Sequence, residues 1–395
     1  MSFGGEKNRK FIASLAAKPF LVLTGLSGSG KTKLAQAFVR WLTPDPNFSE
    51  QLEGSFLNPQ YALIPVGADW TGNENILGYP DGLDSSRYVS KPALEVILHA
   101  VDYPDLPHFL ILDEMNLSHV ERYFADMLSA IESGEPIPLY EGADRTRDGA
   151  VKVPQRVSLP GNLFIIGTVN VDETTYMFSP KVLDRANVME FRIDPIELSS
   201  FLKSPAKPEL SKLDGLGATY GRAFVNAAKS SVNVPTEIAS RFEQEMLLLF
   251  KVLQFGGAEF GYRVAHEAGR FLYFYKEFGG FSPGDTGWFD DALDAVIVQK
   301  LLPKLHGSRG KLEGLLWALG IVCGSERSEN PEMFLKDCLD AAQCKDEMKF
   351  SPEEIYKRME SSNPARKARY PSSFDKILRM YRKLVRDQFV TFAEA

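Results

Sequence analysis

The eight residues Gly25-Leu-Ser-Gly-Ser-Gly30-Lys31-Thr32 constrain the chain more than anything else in its 395 residues. They fit the pattern G-x-x-x-x-G-K-[ST] without a mismatch, and their surroundings fit too. An apolar run, Phe20 to Thr24, enters the segment and reads as a buried strand. Leu34, Phe38 and Trp41 follow it on one face of a helix. Glycines let the backbone curl until successive N–H groups converge on phosphate oxygens. A helix that starts near Lys31 points its positive end at the same oxygens. Lys31 adds a mobile charge for the β- and γ-phosphates, and Thr32 offers a hydroxyl to Mg²⁺. The segment therefore predicts a strand–loop–helix unit that binds a nucleoside triphosphate. Gly25, Ser27, Gly28, Ser29, Gly30, Lys31, Thr32 and Lys33 are its nucleotide-binding residues.

Further apolar runs suited to buried parallel strands occur at Tyr61–Val66, Phe109–Leu112 and Leu163–Gly167. Helical spacing lies between them. Val120, Tyr123, Phe124, Met127, Leu128 and Ile131 form one stripe, with Ser118 and Glu121 as an expected capping box and Ser133-Gly134 as the stop. Strands alternating with helices predict an α/β domain with a parallel, helix-covered sheet. In such a sheet ligands sit beyond the carboxyl ends of the strands. The third run ends there in Asp113-Glu114, next to the phosphate loop. Asp113 would hold the Mg²⁺ shell, and Glu114 would orient and deprotonate an attacking water. The fourth run leads to Asn170, whose amide can bond the γ-phosphate or the water without adding negative charge. Asp172, Glu173 and Thr174 follow on the same loop, close enough to touch metal or nucleotide, or merely to begin a helix.

Strand signals fade after residue 203, where a stretch rich in Pro, Lys, Ser and Gly reads as a linker or long loop over 204–221. Beyond it Ile238, Phe242, Met246, Leu249 and Leu253 recur at helical spacing, as do Val264, Ala268, Phe271, Leu272 and Tyr275. Leu293, Val296, Ile297 and Leu301 do the same before Pro303. The expected organisation is a polar lead (1–18), an α/β nucleotide-binding domain (19–203), a linker (204–221), a helical lid (222–327) and a helical extension (328–395). With 44% hydrophobic and 25% charged residues, the chain matches an ordinary globular protein, and no apolar run approaches the roughly 20 residues of a membrane span. Cys323, Cys338 and Cys344 are an odd number without metal-ligand spacing, so reduced thiols and a cytoplasmic location are expected. A net charge of −7 argues against a surface built wholly for nucleic acid, though not against a local basic patch.

Several segments together resemble the AAA+ ATPases: the phosphate loop, Asp113-Glu114-Met115-Asn116 running into His119-Val-Glu-Arg-Tyr-Phe124, Gly167-Thr-Val-Asn170, and Phe178-Ser-Pro-Lys-Val-Leu-Asp184-Arg185. Within that superfamily they look most like McrB, the GTP-hydrolysing motor of modification-dependent restriction systems. Phe260-Gly-Tyr-Arg263-Val and Ile297-Val-Gln-Lys-Leu-Leu-Pro303 are similar to the McrB-type lid. The likeness spans about Pro19 to Gly307. It implies a Mg²⁺-dependent ring, expected to be a hexamer, that hydrolyses GTP or, alternatively, ATP and works with an McrC-like nuclease subunit on DNA.

Two departures qualify this. McrB proteins usually carry Met-Asn-Thr-Ala-Asp at the end of the fourth strand, where this chain reads Val169-Asn170-Val-Asp172-Glu173. That signature is associated with GTP use, so GTP over ATP is open. The family also places a modified-DNA reading domain before the phosphate loop, where this chain has a short polar lead; recognition is then expected on another subunit, or the chain is truncated.

By the same resemblance, Arg185 would reach the γ-phosphate bound by a neighbouring subunit, and Arg263 would read the nucleotide within its own chain. Their bland alternatives are a local ion pair and a solvated helix end. Between Pro136 and Leu159, alternation near Val151-Lys-Val and Arg156-Val-Ser-Leu predicts a hairpin carrying Arg145, Arg147, Lys152 and Arg156. A basic pore hairpin would suit DNA, but Glu141, Asp144 and Asp148 interrupt the positive run. Two rival functions remain. One is a MoxR-like or dynein-like ATPase that remodels protein complexes, which Trp70 and the Asp184-Arg185 pair also fit. The other is a nucleotide switch that barely hydrolyses, against which an intact Glu114 argues.

Overall fold

The computed structural model describes residues 5–44, 60–147, 151–171, 176, 178–205, 208–282, 284–324, 331–343, 368–393 and 395. The chain forms two compact units, one made of residues 18–230 and one of residues 1–17 and 231–395. Helix α1 (Glu6–Ala17) therefore opens the chain within the second unit, where the sequence suggested only a polar lead. Phe11, Ala13 and Leu15 are buried there, and Arg270 donates to the carbonyls of Ala16 and Ala17 at the end of α1.

The unit of residues 18–230 is built on five parallel strands: β1 (Phe20–Gly25), β2 (Tyr61–Pro65), β3 (His108–Asp113), β4 (Leu163–Asn170) and β5 (Asn187–Phe191). Their spatial order is β5-β1-β4-β3-β2. All four pairings are parallel, with Gly25 opposite Asn170 and Pro65 opposite Asp113, so the strand ends that carry the candidate chemistry lie level. The central strands β1 and β4 are buried along their whole length, as apolar runs without polar alternation require. Helix α2 (Lys31–Leu42) follows β1 and buries Leu34, Phe38 and Leu42. Helix α3 (Pro92–Asp102) starts with Pro at its first position and buries Leu94 and Ile97. This is the α/β architecture expected from the alternation of strands and helices.

The apolar stripe after β3 is not one helix. It divides into α4 (Val120–Tyr123) and α5 (Ala125–Ser133), broken at Phe124, whose fully buried ring packs against Phe20. The expected capping box does not form. Ser118 donates its hydroxyl to the carbonyl of Trp70, and the Glu121 carboxylate accepts the N–H of Ser179. Long-range partners outcompete the local cap. The stop is as expected, with Gly134 in the left-handed region (φ 71°).

Where one hairpin was expected, the two alternating stretches pair with different partners. Strand 145–147 pairs with 151–153, and Ile137-Pro138 with Arg156-Val157. Helices α6 (Pro180–Leu183), α7 (Pro195–Lys203) and α8 (Gly221–Lys229) follow, and a short helical turn at Glu74–Leu77 and the antiparallel pair Gly78–Pro80 with Tyr88–Ser90 lie earlier in the same unit. The segment 204–221, expected to be a linker, belongs to this unit and carries short 3₁₀ turns at Leu210–Leu213 and Ala218–Tyr220. Asp214 pairs with Arg40, and Tyr220 stacks on Trp41. Its polar composition hid two anchors onto α2.

The other unit is mainly helical, as the periodicity indicated. It contains α9 (Ala239–Phe255), α10 (Tyr262–Gly279), α11 (Trp288–Val296), α12 (Arg309–Gly324), α13 (Pro331–Gln343) and α14 (Pro371–Asp387). Buried Asp294 of α11 accepts the N–H groups of Ser372 and Ser373, so α14 is capped from another helix. His306–Ser308 pairs with Phe389–Thr391 in a small antiparallel sheet that the sequence did not announce. No helix among the described residues is long and apolar enough to cross a membrane.

Candidate nucleotide site

The site is assembled from the carboxyl ends of β1, β3 and β4. Gly25 closes β1 against β5, and a side-chain carbon there would lie 2.3 Å from the Phe191 carbonyl oxygen, so only glycine fits. Gly28 and Gly30 sit in the left-handed region, at φ 73° and 94°, and turn the loop into α2. Lys31, the first residue of α2, is 4% exposed. Its ammonium donates to the carbonyls of Gly25 (2.8 Å) and Leu26 (2.6 Å) and lies 3.3 Å from the Ser29 hydroxyl. The positive charge is thus folded into the loop rather than extended into solvent. Ser27 is exposed on the loop. Lys33 is exposed one residue beyond Thr32 and donates to Gln36, turned away from the rest of the set.

Asp113 is the hub of the site. Its Oδ1 accepts the hydroxyls of Thr32 and Thr168, each at 2.7 Å, so loop, β3 and β4 meet on one oxygen. Thr168 also accepts the backbone N–H of Glu114 at 3.0 Å. Glu114 has φ 56° and ψ 48°, a left-handed conformation that side-chain-bearing residues avoid. The chain makes this turn to pass from β3 into the 3₁₀ turn Met115–Leu117, closed by Leu117 N–H donating to the Glu114 carbonyl (2.9 Å). Such strain is held only where surroundings over-determine it, and it clusters at functional positions. Tyr123 supplies part of the support, donating its buried hydroxyl to the Met115 carbonyl (2.7 Å).

Asn170 lies where expected, at the end of β4, 8% exposed. Its amide donates to Glu114 Oε1 at 3.3 Å. Asn116 in turn donates to the Asn170 carbonyl (3.2 Å), while its own carbonyl accepts the N–H of Tyr176. Asp172, Glu173 and Thr174 lie outside the described residues.

Seven expected residues, Gly25, Ser29, Lys31, Thr32, Asp113, Glu114 and Asn170, therefore converge. Arg185 has its contacts elsewhere in its own chain. It donates to the carbonyls of Leu128 (3.1 Å) and Lys181 (2.7 Å) and pairs with Glu132 at the end of α5. Arg263 is exposed in the first turn of α10, in the other unit. Thr168 belongs to this hydrogen-bonded set and was passed over in the sequence reading. Its signal was present: it lies two residues before Asn170, hence on the same face of β4.

Among the described residues no group of three or more His, Cys, Asp or Glu side chains converges on a point. The available donors, the Thr32 hydroxyl and the Asp113 carboxylate, are hard oxygens from one residue each. That set suits Mg²⁺, which is commonly bound by one or two protein oxygens completed by phosphate and water.

Residues 212–389 match a family described as a domain of unknown function (DUF8727). No curated protein matches the chain. Among solved structures, the chain is similar to one described as a "putative ATPase" from Cytophaga hutchinsonii, at 11% identity and a TM-score of 0.48, over 76% of this chain and 82% of that one.

Proposed function

We propose that the protein is a Mg²⁺-dependent nucleoside triphosphatase of the AAA+ kind, an ATPase that remodels protein assemblies rather than a restriction GTPase. One observation carries the hydrolase reading: Thr32, Asp113, Thr168, Glu114 and Asn170 form a continuous hydrogen-bonded chain beside the Lys31 ammonium. The phosphate loop holds the triphosphate by backbone N–H groups and the α2 terminus, and Lys31 offsets charge on the β- and γ-oxygens. Thr32 and Asp113 would hold Mg²⁺, which when bound supplies further neutralisation of the phosphate oxygens. Glu114 takes the proton of the attacking water. Asn170, bonded to Glu114 Oε1, fixes the direction in which that carboxylate faces. A pure switch would need none of this positioning of a base.

The preference for protein remodelling rests on the hairpin cations. Arg145 donates to the carbonyls of Asp81, Asp84 and Arg87; Arg147 pairs with Glu95, and Lys152 with Asp144. Arg145, held by three carbonyls, is a poor candidate for tracking a DNA backbone, which needs cations facing phosphate; the exposed Lys152–Asp144 pair and the exposed Arg156 carry little weight either way. The departure at Val169-Asn170-Val171 from the GTP-associated signature points the same way. We keep the ring, with Arg185 of one chain acting on the nucleotide of the next, as part of this proposal.

Turnover of ATP and GTP should be compared with Mg²⁺ and with chelator, in wild type, Lys31→Ala and Glu114→Gln. Wild type should hydrolyse ATP only with Mg²⁺. Lys31→Ala should lose binding, while Glu114→Gln should bind and not turn over. Equal loss of binding in both variants would contradict the separate roles; a strong GTP preference with stimulation by DNA would return the protein to the McrB-like reading.

A further inference from the structure

We infer that Thr168 is a positioning residue of the nucleotide site, setting the geometry of both acidic groups at once. The inference rests on the hydrolase reading above and adds a residue to it. A threonine hydroxyl has one proton to donate and two lone pairs to accept with. Thr168, 2% exposed within β4, uses both capacities on adjacent residues of β3. It donates to Asp113 Oδ1 at 2.7 Å and accepts the N–H of Glu114 at 3.0 Å. The first bond aims the carboxylate that faces Thr32; the second ties down the residue whose backbone is left-handed.

The two hydroxyls on Asp113 Oδ1 are not equivalent. Thr32 belongs to the phosphate loop and is the one whose oxygen suits Mg²⁺, so metal binding redirects it. Thr168 is part of the sheet and remains as the donor that orients Asp113. Groups that orient a ligand typically change metal affinity or activity by about 10–100-fold when removed. A merely structural Thr168 would influence folding stability and leave the metal linkage alone.

Thr168→Val keeps the shape and removes both bonds; Thr168→Ser keeps the hydroxyl. The primary measurement is equilibrium binding of a fluorescent ATP analogue, with Mg²⁺ and with EDTA, supported by kcat against KM. For Thr168→Val we expect EDTA affinity within about twofold of wild type, and a Mg²⁺ requirement raised about tenfold or more. Its kcat should fall more than its KM rises, and Thr168→Ser should recover most of each loss. An unchanged Mg²⁺ requirement and kcat in Thr168→Val, with Lys31→Ala unable to bind, overturns the positioning role and leaves the hydrolase reading standing. Absence of Mg²⁺-linked binding in wild type overturns the hydrolase reading itself. If Thr168→Val does not fold, Thr168→Ala takes its place with the same expected and overturning outcomes, because it too removes both bonds.

Discussion

Glu114 is asked to be both a base and a residue in a costly conformation, and the two demands can be separated by substitution. Its φ of 56° and ψ of 48° place it in the left-handed region, which costs a side-chain-bearing residue about 1–2 kcal/mol. Glycine does not incur that cost, but its unfolded chain is freer by about 0.5–1 kcal/mol. Backbone strain favours Glu114→Gly over Glu114→Gln by about 0.5–1 kcal/mol, and the long 3.3 Å bond from Asn170, which Gln can accept and Gly cannot, is the smaller opposing effect. For a unit spanning residues 18–230, the strain difference alone is a rise of about 1–4 °C in its melting temperature. Neither variant should hydrolyse nucleotide, since neither has a carboxylate to accept the proton. The assay is differential scanning calorimetry of both variants at fixed protein concentration without nucleotide, alongside turnover. A Glu114→Gly protein that melts at or below Glu114→Gln would sink the strain argument; one that still turned over would sink the assignment of the base.

The stability of the same unit should fall in acid through His108. Burial, reinforced by neighbouring His99, pushes its pKa from 6.5 to about 4, so the stability it contributes is complete above pH 6.5 and lost as pH falls toward 4. The amount is about 3 kcal/mol from the size of the shift; in urea unfolding, His108→Gln should flatten the acid slope relative to wild type, and parallel slopes would refute it. For the shared site, Arg185→Ala and Glu114→Gln should each be nearly inactive alone and regain part of their activity when mixed, because some interfaces then pair an intact Glu114 with an intact Arg185. Mixtures confirmed as co-assembled by size but still inactive would remove Arg185 from the neighbour's site.

Local chemistry explains which parts of the site were legible in the sequence. Gly25 to Thr32 could be read because the constraints act within eight residues: left-handed turns at Gly28 and Gly30, then a helix start at Lys31. Asp113 and Glu114 could be read because an apolar strand ending in acids has few other uses beside such a loop. Thr168 could not be read as easily. Its importance comes from β4 lying between β1 and β3, and a threonine in a strand is otherwise unremarkable. The fifth strand escaped notice for a related reason: Asn187–Phe191 is short, lies at the sheet edge beside β1, and lacks clean alternation. The capping box failed as a reading because Ser118 and Glu121 each found a distant partner, Trp70 and Ser179, that no local pattern encodes.

Arg185 illustrates why contacts within one chain do not by themselves exclude a role in another. It is bonded to two carbonyls and to Glu132, with side-chain exposures of 18% and 35% for the pair. Ion pairs at such partly exposed positions contribute about 0–1 kcal/mol, because water already solvates both charges and ordering long side chains has an entropic cost. A γ-phosphate would offer more charged acceptor oxygens than the single Glu132 carboxylate. Under the shared-site proposal, a neighbouring γ-phosphate would compete with Glu132 for the Arg185 guanidinium. The hairpin cation Arg145 differs in degree, with three backbone carbonyl acceptors against two for Arg185. Its three carbonyl acceptors cross-link the turn at Asp81–Arg87, so freeing it would also release that turn. Ease of release, rather than charge alone, makes Arg185 the cation to test between chains.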